Sequence, residues 1–279
     1  MSENLTKRTQ NGSSSAKKNG EDRVKISENF LTKYFQNYMT DLGGGPKLFK
    51  LRYLINFQKG ATFLFVLFLM KYYKNYSFGA FLYLALHGSY GIFWLIKDFV
   101  FGDKSFDRPS TITASLGCIV LLVGYWYIPF MQISGQGIEN PSSYRALTAI
   151  LMYVFGVNVM LLSDCQKYFT LKYKKGLISE GMFYANRNPN YFGEIMLYAS
   201  FAVLVGKWTP WIILGLVWLV VFNLNMYLKD ETSLKKKEGW EEYSKRSSKV
   251  LFKVFRNDFL HFGMYGALVA LGYYIYNKI

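Results

Sequence analysis

The chain has little of the material from which most metal and thiol sites are built. It contains two cysteines and two histidines in 279 residues. Cys118 and Cys165 form no CxxC pair, so they supply neither a disulfide framework nor a zinc cluster. His87 and His261 are too distant in sequence to suggest a two-histidine metal site. We therefore expect no metal.

Several common catalytic motifs are also missing. The sequence has no P-loop, no GxGxxG after a strand, no GxSxG and no HExxH. These absences argue against the nucleophilic and metal-dependent chemistry that such motifs carry.

Long apolar runs dominate what is present. The chain is 51% hydrophobic and 19% aromatic, although its lysine-rich remainder holds the mean hydropathy at +0.08. Seven runs approach the roughly 20 residues that a bilayer-spanning helix needs. They are Leu54–Met70, Phe78–Ile96, Thr111–Ile133, Ala146–Leu162, Tyr191–Gly206, Trp208–Leu228 and Phe259–Tyr276. The sequence predicts an all-α, polytopic integral membrane protein with six or seven transmembrane helices, Tyr191–Gly206 being the short run that leaves the number open.

The net charge is +15, and the basic residues that produce it are unevenly distributed between the two sides of the predicted membrane. With seven spans, 28 of the 33 lysines and arginines fall on the side of the N-terminus. The other five are Lys71, Lys74, Arg145, Lys207 and Lys278. Basic loops face the cytosol, so we expect a cytosolic N-terminus. This bias explains the basicity without a nucleic-acid partner.

We divide the chain into four parts. Residues 1–45 are a polar tail, expected to be disordered apart from an interfacial helix near Asn29–Tyr38. Residues 46–145 hold the first membrane helices, and residues 146–254 hold a second membrane domain with most of the motifs. Residues 255–279 add a C-terminal helix. The tail and this last helix are candidates for contacts with the bilayer or with membrane-protein partners.

Polar residues cluster at three span ends on the basic side. The clusters are Ser163–Lys167, Arg187–Glu194 and Lys229–Glu231. Asn190 and Glu194 share one helix face, and a glutamate at bilayer depth is costly unless it is paired or lines a polar cavity. The pattern predicts such a cavity, with ordinary interfacial residues at helix ends as the alternative.

The residue types indicate what the cavity would bind. Arginine and lysine suit phosphates, whereas Asn190, Asp164 and Glu194 suit amides, hydroxyls and ribose. A soluble phosphorylated cofactor would satisfy both groups.

The same segments resemble a known family. RNPNYFGE, Arg187–Glu194, looks like the R-H-P-N-Y-x-G-[ED] motif of the steroid 5α-reductase-like and sterol reductase families, which share a superfamily with isoprenylcysteine carboxyl methyltransferases. Ser163–Lys167 resembles their D-x-Q-K element, and Lys229–Tyr243 resembles their R-D-E…W-x-x-Y tail. The three elements occur in family order over about residues 145–252. Leu86–Phe106 is also similar to uncharacterised reductase-like members.

The resemblance implies a membrane enzyme that transfers a hydride from NADPH to a double bond of a sterol or lipid-like substrate. Arg187, Lys167 and Lys229 would face phosphates, whereas the nicotinamide–ribose half would contact Asp164, Asn190, Tyr191 and Glu194. The full set of implied cofactor-binding residues is Asp164, Gln166, Lys167, Arg187, Asn190, Tyr191, Glu194, Lys229, Asp230 and Tyr243.

A reductase also needs a proton donor. His87 and Tyr90 lie three residues apart on one face of the second span, and either could donate to a substrate carbonyl. A buried pair that satisfies its own hydrogen bonds is the competing interpretation.

Two departures from the family pattern keep other functions open. Asn188 replaces the motif histidine, and the chain adds the span Phe259–Tyr276. A non-catalytic subunit of a larger membrane complex, possible in mitochondria, is one alternative. An S-adenosylmethionine-dependent methyltransferase acting on a lipid or prenyl group is another. The resemblance favours the endoplasmic reticulum, with the mitochondrial inner membrane as the alternative.

Overall fold

Apolar runs of bilayer length satisfy their backbone polar groups in lipid only as helices or closed barrels, and here they are helices. The computed structural model describes residues 40–278, so the predicted tail up to residue 39 and its interfacial helix lie outside the described residues. The helices are α1 (Leu51–Tyr73), α2 (Phe78–Phe101), α3 (Ile112–Ile133), α4 (Ser143–Tyr173), α5 (Pro189–Val205), α6 (Trp208–Leu234), α7 (Trp240–Arg246) and α8 (Asp258–Lys278).

Shorter elements connect the helices. Strand β1 (Lys47–Lys50) pairs antiparallel with β2 (Pro109–Thr111), which ties the start of α1 to the start of α3. Single 3-10 turns cover Lys104–Asp107 and Gly181–Phe183. Helices α2 and α6 each contain wider π-helical turns, at Leu84–Gly88 in α2 and at Val217–Phe222 and Asp230–Leu234 in α6.

The structure confirms an all-α polytopic membrane protein. Within residues 40–278, helices α1, α2, α3, α4 and α6 are long and apolar enough to cross a membrane. The two other predicted spans are also helical: α5 has 17 residues and α8 has 21. Helix α4 is longer than predicted, at 31 residues, and therefore carries Ser163–Lys167 within the helix instead of after it.

Helix α5 lies in the middle of the bundle. Every residue from Leu197 to Val205 is buried, so this half of the helix contacts neighbours on all sides. Pro189 occupies its first turn, where the missing N–H costs nothing. Gly206, at φ +67°, ends it in the left-handed conformation that glycine adopts most readily. These two residues keep α5 short.

Paired glycines let α4 and α5 cross at backbone contact. A Cβ on Gly193 would lie 2.5 Å from the Met160 nitrogen and 2.6 Å from the Gly156 oxygen. A Cβ on Gly156 would lie 2.6 Å from the Leu197 nitrogen. Small residues allow such close approach between membrane helices. The crossing brings the polar start of α5 beside the later turns of α4.

Helix α8 has few ties to the rest of the described chain. The Tyr265 hydroxyl donates to the Phe252 carbonyl at 3.1 Å, and the His261 ring accepts from the Val254 N–H at 3.4 Å. A Cβ on Gly263 or Gly266 would meet nothing within 4 Å. These two glycines of α8 therefore face no close neighbour within residues 40–278.

The α4–α5 crossing gives a prediction for stability. Gly193→Ala should lower the free energy of unfolding by about 1–3 kcal/mol, because the added methyl meets backbone atoms that cannot move aside. A thermal-unfolding curve of the detergent-solubilised protein measures the change. Gly215→Ala is the control, since a Cβ there has open space. Equal melting temperatures for wild type and Gly193→Ala would contradict the proposed backbone contact.

Candidate functional site

Two asparagines fasten the loop before α5 to the chain that follows α7. The Asn186 side chain accepts the N–H of Asn188 at 2.8 Å and donates to the Val250 carbonyl at 2.6 Å. The Asn188 amide donates to the Lys249 carbonyl at 2.8 Å. Both asparagines are completely buried. The residue that replaces the motif histidine is thus a structural link between two segments.

Asn188 also connects to α6. Its side-chain oxygen accepts a hydrogen bond from Lys229 Nζ at 2.8 Å. One amide group therefore holds the start of α5, the later part of α6 and the segment after α7 together.

The Arg187 guanidinium is bound by side-chain and backbone groups of the same chain. Its Nε lies 3.2 Å from a carboxylate oxygen of Asp230, and its Nη1 donates to the Ser247 carbonyl at 3.0 Å. The guanidinium also lies 5.5 Å from the centre of the Trp240 ring. Arg187 was predicted to face phosphate; in the structure it packs α7 against the loop before α5.

The main cavity opens between α2, α4, α5 and α6. Its volume is about 670 Å³. Of the predicted residues it is lined by Asp164, Lys167, Asn190, Tyr191, Glu194 and Lys229. It is also lined by residues that the sequence analysis did not select, among them Trp94, Lys97, Asp103, Arg108 and Asn225. The polar clusters of three separate spans therefore meet, as predicted, around one space.

Two ion pairs cross one wall of the cavity. Lys97 Nζ lies 2.5 Å from one oxygen of Asp164, and Lys167 Nζ lies 2.8 Å from Asp103. Lys167 also approaches the other Asp164 oxygen at 3.7 Å. These contacts join α2, α4 and the loop after α2, and they neutralise both aspartates.

The Asp103 carboxylate responds to this environment. Burial alone raises its pKa, but the Lys167 ammonium and the Ser105 N–H outweigh burial and hold the pKa below its ordinary value. Asp103 is therefore ionised wherever the protein is folded near neutral pH.

The side chains of Glu194 and Asn190 form no hydrogen bond or ion pair with the described residues, although lysines lie near Glu194. Both line the cavity, and within residues 40–278 the structure shows no hydrogen bond to either side chain. Between them lies Tyr191, whose ring is 4.7 Å from the ring of Phe222. A carboxylate and an amide thus face the same space and can accept or donate hydrogen bonds to a bound molecule.

Three other predicted residues do not line the main cavity. Gln166 donates to the Glu180 carbonyl and accepts the Met182 N–H, both at 2.9 Å, so it holds the loop after α4. Asp230 pairs with Arg187. Tyr243 donates to the Phe183 carbonyl at 2.7 Å, and burial raises its pKa to about 12. With Arg187, Tyr243 lines a much smaller neighbouring cavity of about 50 Å³.

The two candidate proton donors lie behind the cavity wall. His87 is buried, contacts the Tyr83 hydroxyl at 2.9 Å and stacks on Phe201 at 4.3 Å. The Tyr90 hydroxyl lies 3.1 Å from that of Tyr198. Neither His87 nor Tyr90 lines the cavity.

Lys59 is a candidate residue that sequence reasoning missed. Its Nζ donates to the Tyr198 hydroxyl at 2.5 Å and lies 4.9 Å from the centres of the Tyr90 and Tyr125 rings. Lys59 is buried inside α1, where aromatic faces and one hydroxyl solvate its charge. The position of Lys59 inside the apolar run Leu54–Met70 could have indicated its importance. The sequence analysis instead included Lys59 only among the basic residues on the side of the N-terminus.

Comparison with protein-family models identifies a matching family. Residues 114–250 match the sequence model of a family described as a protein of unknown function, DUF1295. The match covers just under half of the chain, from the start of α3 to the segment after α7. It includes Asp164, Asn190, Glu194 and Lys229, whereas Lys97 and Asp103 precede it. No curated protein matches the chain.

The link made by Asn188 predicts a loss of stability on its removal. Asn188→Ala should cost about 1–3 kcal/mol, because it removes the hydrogen bonds to the Lys249 carbonyl and from the Lys229 ammonium, which keeps only its longer bond to the Arg187 carbonyl. Asn188→His should lose less, since a neutral imidazole retains one donor and one acceptor. Thermal unfolding in detergent compares these variants with Asn158→Ala, which removes an exposed asparagine of α4. An Asn188→Ala protein as stable as Asn158→Ala would contradict the link.

The Asp103 ion pair predicts a pH dependence. A carboxyl with a lowered folded-state pKa contributes stability above its unfolded pKa of about 4 and loses the contribution as the pH falls further. The difference in melting temperature between wild type and Asp103→Asn should be full at pH 6 and should shrink steadily below pH 4. A difference that does not change between pH 6 and pH 3 would show that the charge of Asp103 is not the cause.

Proposed function

We propose that this protein is a membrane-embedded reductase that uses NADPH to reduce a carbon–carbon double bond of a sterol or lipid-like substrate. The observation that carries the proposal is the cavity of about 670 Å³ in which the side chains of Glu194 and Asn190 form no hydrogen bond or ion pair with the described chain. Its volume lies within the range of about 300–1,000 Å³ that is usual for cofactor and ligand pockets.

The donor and acceptor set fits a dinucleotide. The Glu194 carboxylate can accept from ribose hydroxyls or from the carboxamide NH₂ of nicotinamide, and the Asn190 amide can both donate and accept. Lys167 and Lys229, on the same cavity wall, would hold the pyrophosphate. Trp94, Phe106 and Phe222 add apolar surface against which a ring can pack.

When bound, NADPH supplies the hydride, and the chain contributes placement and a proton. Trp94, a cavity-wall residue, has its ring 6.3 Å from the ring of Tyr90. Behind Tyr90 lie the Tyr198 hydroxyl and the Lys59 ammonium. Of the two predicted donors we favour Tyr90, because its ring adjoins the cavity-wall residue Trp94, whereas the ring of His87 stacks on Phe201.

The family match supports the same reading. The family match over residues 114–250 contains all three segments whose motifs resemble those of the steroid 5α-reductase-like proteins. We propose the membrane of the endoplasmic reticulum, which the resemblance of the motifs favours over the mitochondrial inner membrane. The basic loops favour a cavity that faces the cytosol.

A second candidate is a structural role in a larger membrane assembly. Helix α8 supports it, because its large apolar residues are exposed and its glycines face no neighbour within the described chain. A reductase should bind NADPH when purified alone, whereas a structural subunit should co-purify with partner subunits. A binding experiment on purified protein therefore distinguishes the two functions.

The test is a fluorescence titration of NADPH against purified protein. Glu194→Gln and Asn190→Ala should each weaken binding roughly 10- to 100-fold, since each removes hydrogen bonds that involve a charged or buried partner. Glu242→Gln, which changes an exposed carboxylate on α7, is the matched control and should bind like wild type.

Other results point to the alternatives. Wild-type protein that binds S-adenosylmethionine and not NADPH would favour the methyltransferase. Wild-type protein that binds neither, and co-purifies with stable partner subunits, would favour the structural role.

A further inference from the structure

A row of polar side chains runs along one face of α5, from the main cavity into the interior of the bundle. Asn190, Glu194 and Tyr198 follow one another at intervals of four residues, so they lie on the same face of the helix. Asn190 and Glu194 line the cavity, whereas Tyr198 is buried one turn further along. The row ends at Lys59 of α1, whose Nζ donates to the Tyr198 hydroxyl at 2.5 Å.

The surroundings of Lys59 favour its charged form. The residue is 5% exposed and lies inside a helix long and apolar enough to cross a membrane. Its Nζ lies over four rings at 4.9–5.6 Å from their centres, those of Tyr90, Trp94, Tyr125 and Tyr198. Ring faces attract an ammonium group through their quadrupole, whereas a neutral amine gains little from them.

Glu194 carries the opposite charge in the same region. Its side chain forms no hydrogen bond or ion pair with the described residues, and a carboxylate at this depth needs positive charge nearby. Three lysines lie near Glu194, and two of them, Lys97 and Lys167, are paired with aspartates of the cavity wall. The third is Lys59, which forms no ion pair with a carboxylate in the part of the chain that the structure describes.

We infer that Lys59 is a positioning residue of the cofactor site, the counter-ion that keeps the Glu194 carboxylate ionised and available to the cavity. The inference rests on the proposed function, in which this carboxylate accepts hydrogen bonds from the nicotinamide–ribose half of NADPH. A nearby ammonium group favours the ionised form of a carboxyl group, and the attraction is stronger in a buried region than in water. Lys59 does not line the cavity, so it acts through Glu194 and not by contact with the cofactor.

Other titratable groups face the same region from every helix around it. The charged side chains that line the cavity with Glu194 are Lys97, Asp103, Arg108, Asp164, Lys167 and Lys229. The tyrosines within electrostatic reach of Glu194 are Tyr90, Tyr125, Tyr191 and Tyr198. Replacing Lys59 leaves all these groups in place and removes one positive charge near Glu194.

The experiment measures the dissociation constant of NADPH by cofactor fluorescence, with the full chain in detergent, at several pH values from 7 to 9.5. At pH 7, Lys59→Met should bind NADPH about tenfold more weakly than wild type, because Glu194 then takes up a proton and loses acceptor capacity. The ratio of the two dissociation constants should fall toward one as the pH rises, because Glu194 becomes ionised in both proteins. Lys59→Arg should restore most of the affinity, since a guanidinium keeps the charge and also stacks on rings.

A second substitution at Glu194 tests whether the two residues act together. Glu194→Gln has no charge to stabilise, so adding Lys59→Met to it should change the affinity for NADPH little. The matched control is Lys71→Met, which removes an exposed lysine from the last turn of the same helix and should bind like wild type at every pH. Thermal unfolding shows whether each variant is folded. If Lys59→Met does not fold, Lys59→Gln, which keeps a donor for the Tyr198 hydroxyl, replaces it with the same expectations.

The contrary results are distinct from one another. Equal affinities of wild type and Lys59→Met at pH 7 would overturn the inference and leave the proposed function intact. A loss that is the same at every pH and persists in the Glu194→Gln background would show that Lys59 only holds the helices together, which also overturns the inference. Wild-type protein that binds no NADPH would overturn the proposed function, and the inference with it.

Discussion

The site depends on the backbone contact between α4 and α5 at Gly156 and Gly193. Any side chain at either position would push the helices apart, because a Cβ would lie within 2.7 Å of backbone atoms of the partner helix. The contact sets the depth of α5 beside α4. Glu194, the residue after Gly193, is thereby held near Asp164, two turns along α4 from Gly156.

Charge compensation is the second constraint on this region. Bringing three acidic groups together at membrane depth is unfavourable unless cations accompany them. Lys97 and Lys167 neutralise Asp164 and Asp103, while Glu194 is left without a direct partner. The two aspartates of the cavity wall are therefore neutralised by ion pairs, whereas the Glu194 carboxylate faces the cavity. Such a division is what a binding site for a polar cofactor requires.

Much of the fold and part of the site could be predicted from the sequence. The apolar runs located the helices because a bilayer demands a minimum length of apolar chain. The motifs located Asp164, Asn190 and Glu194 because each lies at the end of a run. Arg187 and Gln166 were placed in the same group, since a motif does not reveal which polar residue turns toward a cavity and which holds the chain. Lys97 and Lys59 were undervalued because their partners are more than 60 residues away.

The sequence by itself therefore determined the membrane class, the helix positions and the side on which the basic residues gather, because these depend on local composition. The tertiary structure alone decided which polar groups share one cavity and which of them hold segments of the chain together. Those outcomes depend on how helices cross and on which side chains become neighbours. Such contacts join residues far apart in the chain, and no local pattern specifies them.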